Sequence, residues 1–120
     1  MFKKIDHVQL SAPVGSEKEA IRFYNGILGF DIVKKPRSLE KRGGAWFRYD
    51  DIHLHIGVEE GFSPAKKAHP AIEVESLKEI ENVFKDHHIT IQHDDNLPSA
   101  KRFYVNDPFG NRLEFLEWES

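Results

Sequence analysis

Phe103-Tyr104-Val105-Asn106-Asp107-Pro108-Phe109-Gly110-Asn111-Arg112-Leu113-Glu114-Phe115 reads as two strands closed by a tight turn. Pro108 presets its own φ and Gly110 tolerates φ > 0, so the chain reverses between strands 102–106 and 112–117. The closing strand places a carboxylate, Glu114, directly between apolar neighbours, Leu113 and Phe115. An earlier hairpin repeats the plan: residues 45–50 and 52–58 flank Asp50-Asp51, and the closing strand is Ile52-His53-Leu54-His55-Ile56. Upstream of each hairpin the order is also the same. A histidine leads into an apolar strand (His7 before 8–11, within a strand read as 5–11; His69 before 70–75). A capping-box pair follows, Ser16 with Glu19 and Ser76 with Glu79. A helix comes next, 17–28 or 77–87, then a short strand, 30–34 or 89–92. Each half is therefore βαβββ.

The expected fold is α+β: two βαβββ repeats forming one eight-stranded cupped mixed sheet, with both helices outside. Residues 1–120 make one domain, with internal repeats at about 1–58 and 69–120 joined by the linker 59–68. The polar segment 35–44, ending in Gly43-Gly44, reads as a mobile loop.

Composition narrows the function. The 120-residue chain is 39% hydrophobic and 31% charged, as expected of a globular protein, and no apolar run is long enough to span a membrane. Cysteine is absent, which removes disulfides, thiolate nucleophiles and Cys-based zinc sites. A net charge of -3 with dispersed Lys and Arg leaves no footprint for nucleic acid. The N-terminus lacks the apolar core of a signal peptide, so a cytoplasmic location is expected. Seven histidines are many for this length. His87 and His88 follow the second helix and suit its C-terminal carbonyls, and His93 reads as a solvated loop residue.

The segments Asp6-His7-Val8, Phe23-Tyr24 with Leu28-Gly29-Phe30, His69-Pro70-Ala71, and above all Asp107-Pro108-Phe109-Gly110-Asn111-Arg112-Leu113-Glu114 resemble the vicinal-oxygen-chelate superfamily. That superfamily includes glyoxalase I, fosfomycin-resistance thiol transferases, extradiol dioxygenases and bleomycin-resistance proteins. The match resembles most closely its small bacterial glyoxalase-like branch. By position the resemblance implies His7, His69 and Glu114 as ligands of one divalent metal ion, Zn, Ni, Mn or Fe. A fourth family position falls on the last strand of the first half, where aligning the repeats sets His53 opposite Glu114. Glyoxalase I has a carboxylate there, so the resemblance points away from that enzyme itself.

His53 and Tyr104 are the catalytic candidates. Gln9, His55 and Arg102 are the substrate-binding candidates, because strand alternation puts Gln9 on the face of His7, His55 with His53, and Arg102 with Tyr104. Only one of Trp46 and Phe47 can line a cavity. The implied function is a metal-dependent lyase, transferase or dioxygenase acting on a small oxygenated or electrophilic molecule by Lewis-acid catalysis. The alternative is a non-catalytic, sequestering protein like the bleomycin-resistance members. A small-molecule substrate and a homodimer are the expected partners.

Overall fold

The computed structural model describes residues 1–119, which fall into two compact units, Met1–Pro64 and a second beginning at Ala65. The first unit holds β1 (Val8–Pro13), α1 (Glu17–Ile21), β2 (Asp31–Val33), β3 (Ala45–Tyr49) and β4 (Ile52–Glu59). The second holds β5 (Ala71–Glu73), α2 (Leu77–Asp86), β6 (Gln92–His93), β7 (Ala100–Asn106) and β8 (Arg112–Trp118). The eight expected strands are thus present, four to each sheet. One sheet runs β1-β4-β3-β2 and the other β5-β8-β7-β6. In both, the first strand lies parallel to the last and the other pairs are antiparallel. The α+β class and the repeated βαβββ order are as the sequence implies.

One face of each sheet packs on its helix. In the first unit Tyr24 meets Phe47 at 5.4 Å between ring centroids, with Leu54 and Ile56 buried beside them. In the second, Phe84 of α2 meets Phe115 at 5.3 Å and Phe103 at 6.0 Å. Leu113 and Phe115 therefore anchor β8 to the helix layer, and Glu114 between them points the other way. Glu117 Oε1 accepts a hydrogen bond from Leu77 N–H at 2.8 Å, tying the start of α2 to β8.

Several local expectations change. The helix expected over 17–28 is α-helical only to Ile21, then widens into a π-helical stretch at Arg22–Ile27 that contains Gly26. Leu28 N–H reaches back five residues to Phe23 O at 3.0 Å. Gly29, at φ 79°, ends the helix as expected. Ser16 does not cap α1; its hydroxyl donates to Pro13 O at 2.6 Å instead. Ser76 does cap α2, accepting from Glu79 N–H at 3.2 Å. β1 begins at Val8 rather than residue 5, and β6 at Gln92 rather than 89.

The segment expected as a mobile loop contains a 3₁₀ helix, Arg37–Arg42. It is pinned at its end, because Lys35 Nζ donates to Gly43 O and Gly44 N–H donates to Glu17 Oε2 at 2.7 Å. His93 belongs to β6, not to a loop, and its ring lies 5.8 Å from Phe103.

α2 ends in a Schellman motif: Ile89 N–H reaches Phe84 O at 2.9 Å and His88 N–H reaches Lys85 O at 3.0 Å. His88 occupies the left-handed position at φ 57°, where glycine carries no steric cost. His87 Nδ1 lies 2.9 Å from Val83 O, the capping contact expected of it. His88→Gly should stabilise the protein by about 0.5 kcal/mol, less whatever glycine gains in unfolded-chain freedom. Chemical denaturation measures this, and a clear destabilisation would show that His88 contributes more than backbone geometry.

Candidate active site

The face of each sheet turned away from its helix carries the polar side chains. In the second unit the cross-strand register puts Gln92, Tyr104, Glu114 and Ala71 side by side. Glu114 is only 5% exposed, and its two oxygens have different partners. Oε1 lies 2.9 Å from Nε2 of His69, and Oε2 lies 3.4 Å from Arg102 Nη1. Arg102 Nη2 reaches Asp94 at 3.2 Å, so one guanidinium bridges two carboxylates. The Nδ1 atom of His69 lies 2.8 Å from the carbonyl oxygen of Lys67. Tyr104 packs edge-on against His69 at 5.3 Å, and the Arg112 guanidinium lies over its ring at 3.8 Å.

The corresponding face of the first unit is an aromatic stack. His55 lies between His7, at 4.1 Å and 17°, and Trp46, at 4.1 Å and 7°. Phe47 takes the buried side, so Trp46 is the member of the pair on the polar face. His7 Nδ1 lies 2.8 Å from Asp6 Oδ1, a hydrogen bond that holds the Asp6 carboxyl below its ordinary range. Gln9 extends over Gly57, where a Cβ would come within 2.5 Å of its amide nitrogen.

Burial lowers the pKa of His55 below its ordinary 6.5, and the His7 and His53 rings and Lys35 act the same way against the opposing pull of Asp6. The neutral ring is therefore favoured in the folded state. Stability is full above pH 6.5 and falls as pH drops through 6.5 towards the folded-state value. Denaturant midpoints at about pH 7.5 and 5.5 should show this loss, and His55→Phe, which keeps a ring in the stack, should reduce it. An unchanged difference in that variant would assign the loss elsewhere.

The register corrects one sequence alignment. If His7 matches His69, Gln9 matches Ala71. Gln9 pairs with His55, whereas Ala71 pairs with Glu114. His55, not His53, therefore stands at the position of Glu114. His53 matches Arg112, and Trp46 matches Tyr104. Each unit thus presents the same trio: a leading histidine, a polar residue on the last strand that it touches, and an aromatic on the neighbouring strand. Among the described residues, no three His, Asp or Glu side chains stand together as a cation site. The donors that meet are paired, His69 with Glu114.

The model for the Glyoxalase/Bleomycin resistance protein/Dioxygenase superfamily matches residues 4–115. The chain belongs to this superfamily. A glyoxalase family protein from Bacillus anthracis is 46% identical, with a TM-score of 0.96, over 99% of this chain and 98% of that one. TnmS3, an antibiotic binding protein from Streptomyces sp. CB03234, is 18% identical with a TM-score of 0.74, covering 98% of this chain and 100% of its own. The fosfomycin resistance protein FosX from Mesorhizobium loti is 13% identical with a TM-score of 0.73, covering 98% and 93%. The last two likenesses are of fold alone. No curated protein gives a significant match. No helix among the described residues is long and apolar enough to cross a membrane.

Proposed function

We propose that this glyoxalase-superfamily chain is a metal-dependent enzyme acting on a small oxygenated or electrophilic molecule, with His7, His69 and Glu114 as ligands of one divalent cation. The contact between His69 and Glu114 carries the reading. The Lys67 carbonyl can only accept, so the hydrogen-bond network assigns the proton of the neutral ring to Nδ1 and leaves Nε2 as a lone pair. That lone pair faces another acceptor, Glu114 Oε1, at 2.9 Å. Two acceptors so close need a cation between them, a proton or a metal. His7 is oriented in the same way, with Nδ1 against Asp6. Such partners at the far nitrogen are typical of metal-binding imidazoles. Two imidazoles and a carboxylate suit Zn, Ni, Mn or Fe.

When bound, the cation supplies Lewis-acid stabilisation of negative charge developing on a substrate oxygen. The protein's own groups do the rest. Arg102 fixes the orientation of Glu114. The Tyr104 phenol and the His53 imidazole are the groups that hold or move a proton, and the Gln9 amide hydrogen-bonds the substrate.

A second reading has its own support. Arg102 already bridges Glu114 and Asp94, giving both carboxylates a cationic partner without a metal. That suits a sequestering protein. Titration of metal-free protein with Zn, Ni, Mn and Fe separates the two. One equivalent bound per chain supports the enzyme; a folded protein that binds none of them supports the binder. A homodimer belongs to the same proposal, supported by the exposed apolar side chains of Phe2, Ile5, Ile32, Tyr49 and Trp118. Light scattering should give twice the chain mass, and a monomer at micromolar concentration would count against it.

A further inference from the structure

The two arginines on the polar face of the second unit differ in kind. Arg102 is committed to Glu114 and Asp94. Arg112 is half-buried over the Tyr104 ring, and among the described residues no carboxylate lies within ion-pair distance of it. It borders a groove of about 340 Å³, near the lower end of ligand-site volumes. The groove exists because β6 is short. Only Gln92 and His93 pair with β7, and the chain before them, at Ile89 and Thr90, diverges from β7 beyond Tyr104. Ile89 and Val105 give the groove apolar walls, while Thr90 and Gln92 bring hydrogen-bonding groups. Its lining includes one cation and no carboxylate. A planar guanidinium on an aromatic face, with its charge unmatched, is suited to an oxyanion.

We propose that this groove docks the anionic end of the substrate, a carboxylate or comparable oxyanion on a short apolar body, paired with Arg112. Arg112 lies two residues before Glu114 on the same face of β8, a separation of about 7 Å along the strand. On the metal reading above, the substrate is then a small anion whose charged group pairs with Arg112 while its oxygens face Glu114 and His69.

Benzoate and its neutral analogue benzamide test the groove in protein kept metal-free with chelator. With ¹⁵N-labelled protein, benzoate should move the Arg112 Nε–H and Gln92 side-chain signals saturably, at roughly millimolar affinity, and benzamide should not. Arg112→Gln should weaken benzoate at least about tenfold, and Arg112→Lys should recover part of the loss. Lys101→Gln, an exposed charge on the opposite face of β7, should bind benzoate as the parent does. Equal responses to benzoate and benzamide, equal benzoate affinity in Arg112→Gln, or no saturable shift with benzoate or methylphosphonate would each overturn the proposal. Because no metal is present, failure of the parent to bind metal would end the enzyme reading and leave this titration as it stands.

Discussion

Replacing Glu114 by Gln should weaken binding of the first equivalent of Zn or Ni by at least about tenfold, since loss of a mere outer-shell partner already costs 10- to 100-fold. The amide is nearly isosteric, and Arg102 keeps Asp94 at 3.2 Å, so the second unit should stay folded. The change removes the charge and replaces one oxygen with a donor, and a donor turned towards the His69 lone pair satisfies it without a cation. Calorimetric titration beside a circular dichroism spectrum reads both effects. Equal metal affinity in the variant and the parent would remove Glu114 from the ligand set. A metal-dependent signal lost together with the fold would be uninformative, and His69→Gln then provides the same comparison on the other donor.

Gly44→Ala should cost about 3 kcal/mol and lower Tm by roughly 10 °C. Gly44 has φ 84°, and a Cβ there would lie 2.1 Å from the backbone oxygen of Ile56. A non-glycine residue in the left-handed region costs about 1–2 kcal/mol alone, and the obstructing atom belongs to β4, so no side-chain rotation relieves it. The next residue, Ala45, begins the pairing with Ile56 that sets Trp46 opposite His55. The substitution should therefore also disturb the ring stack, visible as a change in Trp46 fluorescence. Thermal unfolding of the variant at the parent's Tm would show that the entry to β3 tolerates a side chain. Gly57 offers a milder contrast, because its obstruction is the movable Gln9 amide.

Much of the fold was legible because the strongest signals are local and occur twice. The 103–115 segment carries its own turn chemistry: Asp107 Oδ1 accepts from Phe109 N–H at 2.9 Å and Asn111 N–H at 2.8 Å. The amphipathic 77–87 stretch likewise needs only periodicity and Ser76. The first helix was less legible because an apolar stripe does not distinguish α from π winding, and Gly26 eases the wider turn. The Ser16-Glu19 spacing matched a capping box, yet the hydroxyl found Pro13 O, an acceptor no spacing rule places. The order of the 35–44 segment depends on Lys35 and Glu17 meeting Gly43 and Gly44, contacts formed only after folding.

The site was half legible. His69 and Glu114, two of the residues the resemblance singles out, meet at 2.9 Å. The match of His53 with Glu114 rests on aligning the repeats, and Ile52-His53-Leu54-His55-Ile56 offers two histidines on one strand face. Only the pairing of Gln9 with His55 and of Ala71 with Glu114 reveals His55 as the counterpart. Arg112 alternates with Glu114 along β8, which places both on one face. Among the described residues Arg112 has no acidic partner, while Arg102 has two, one of them Asp94, which reaches it from outside β7 and β8.

The parallel pairing of first and last strands has a kinetic consequence. Val8 pairs with Leu54 and Ala71 with Glu114, so each sheet is completed only when the ends of nearly a whole unit meet. Loop closure must be met before those contacts form, which places such topologies among the slower single-domain folders. The hairpins β3–β4 and β7–β8 can assemble early, with β4 and β8 waiting as open edges for their parallel neighbours. His7 and His69 sit just ahead of those late strands, so the face each shares with its last strand is among the last parts of the nascent chain to be built.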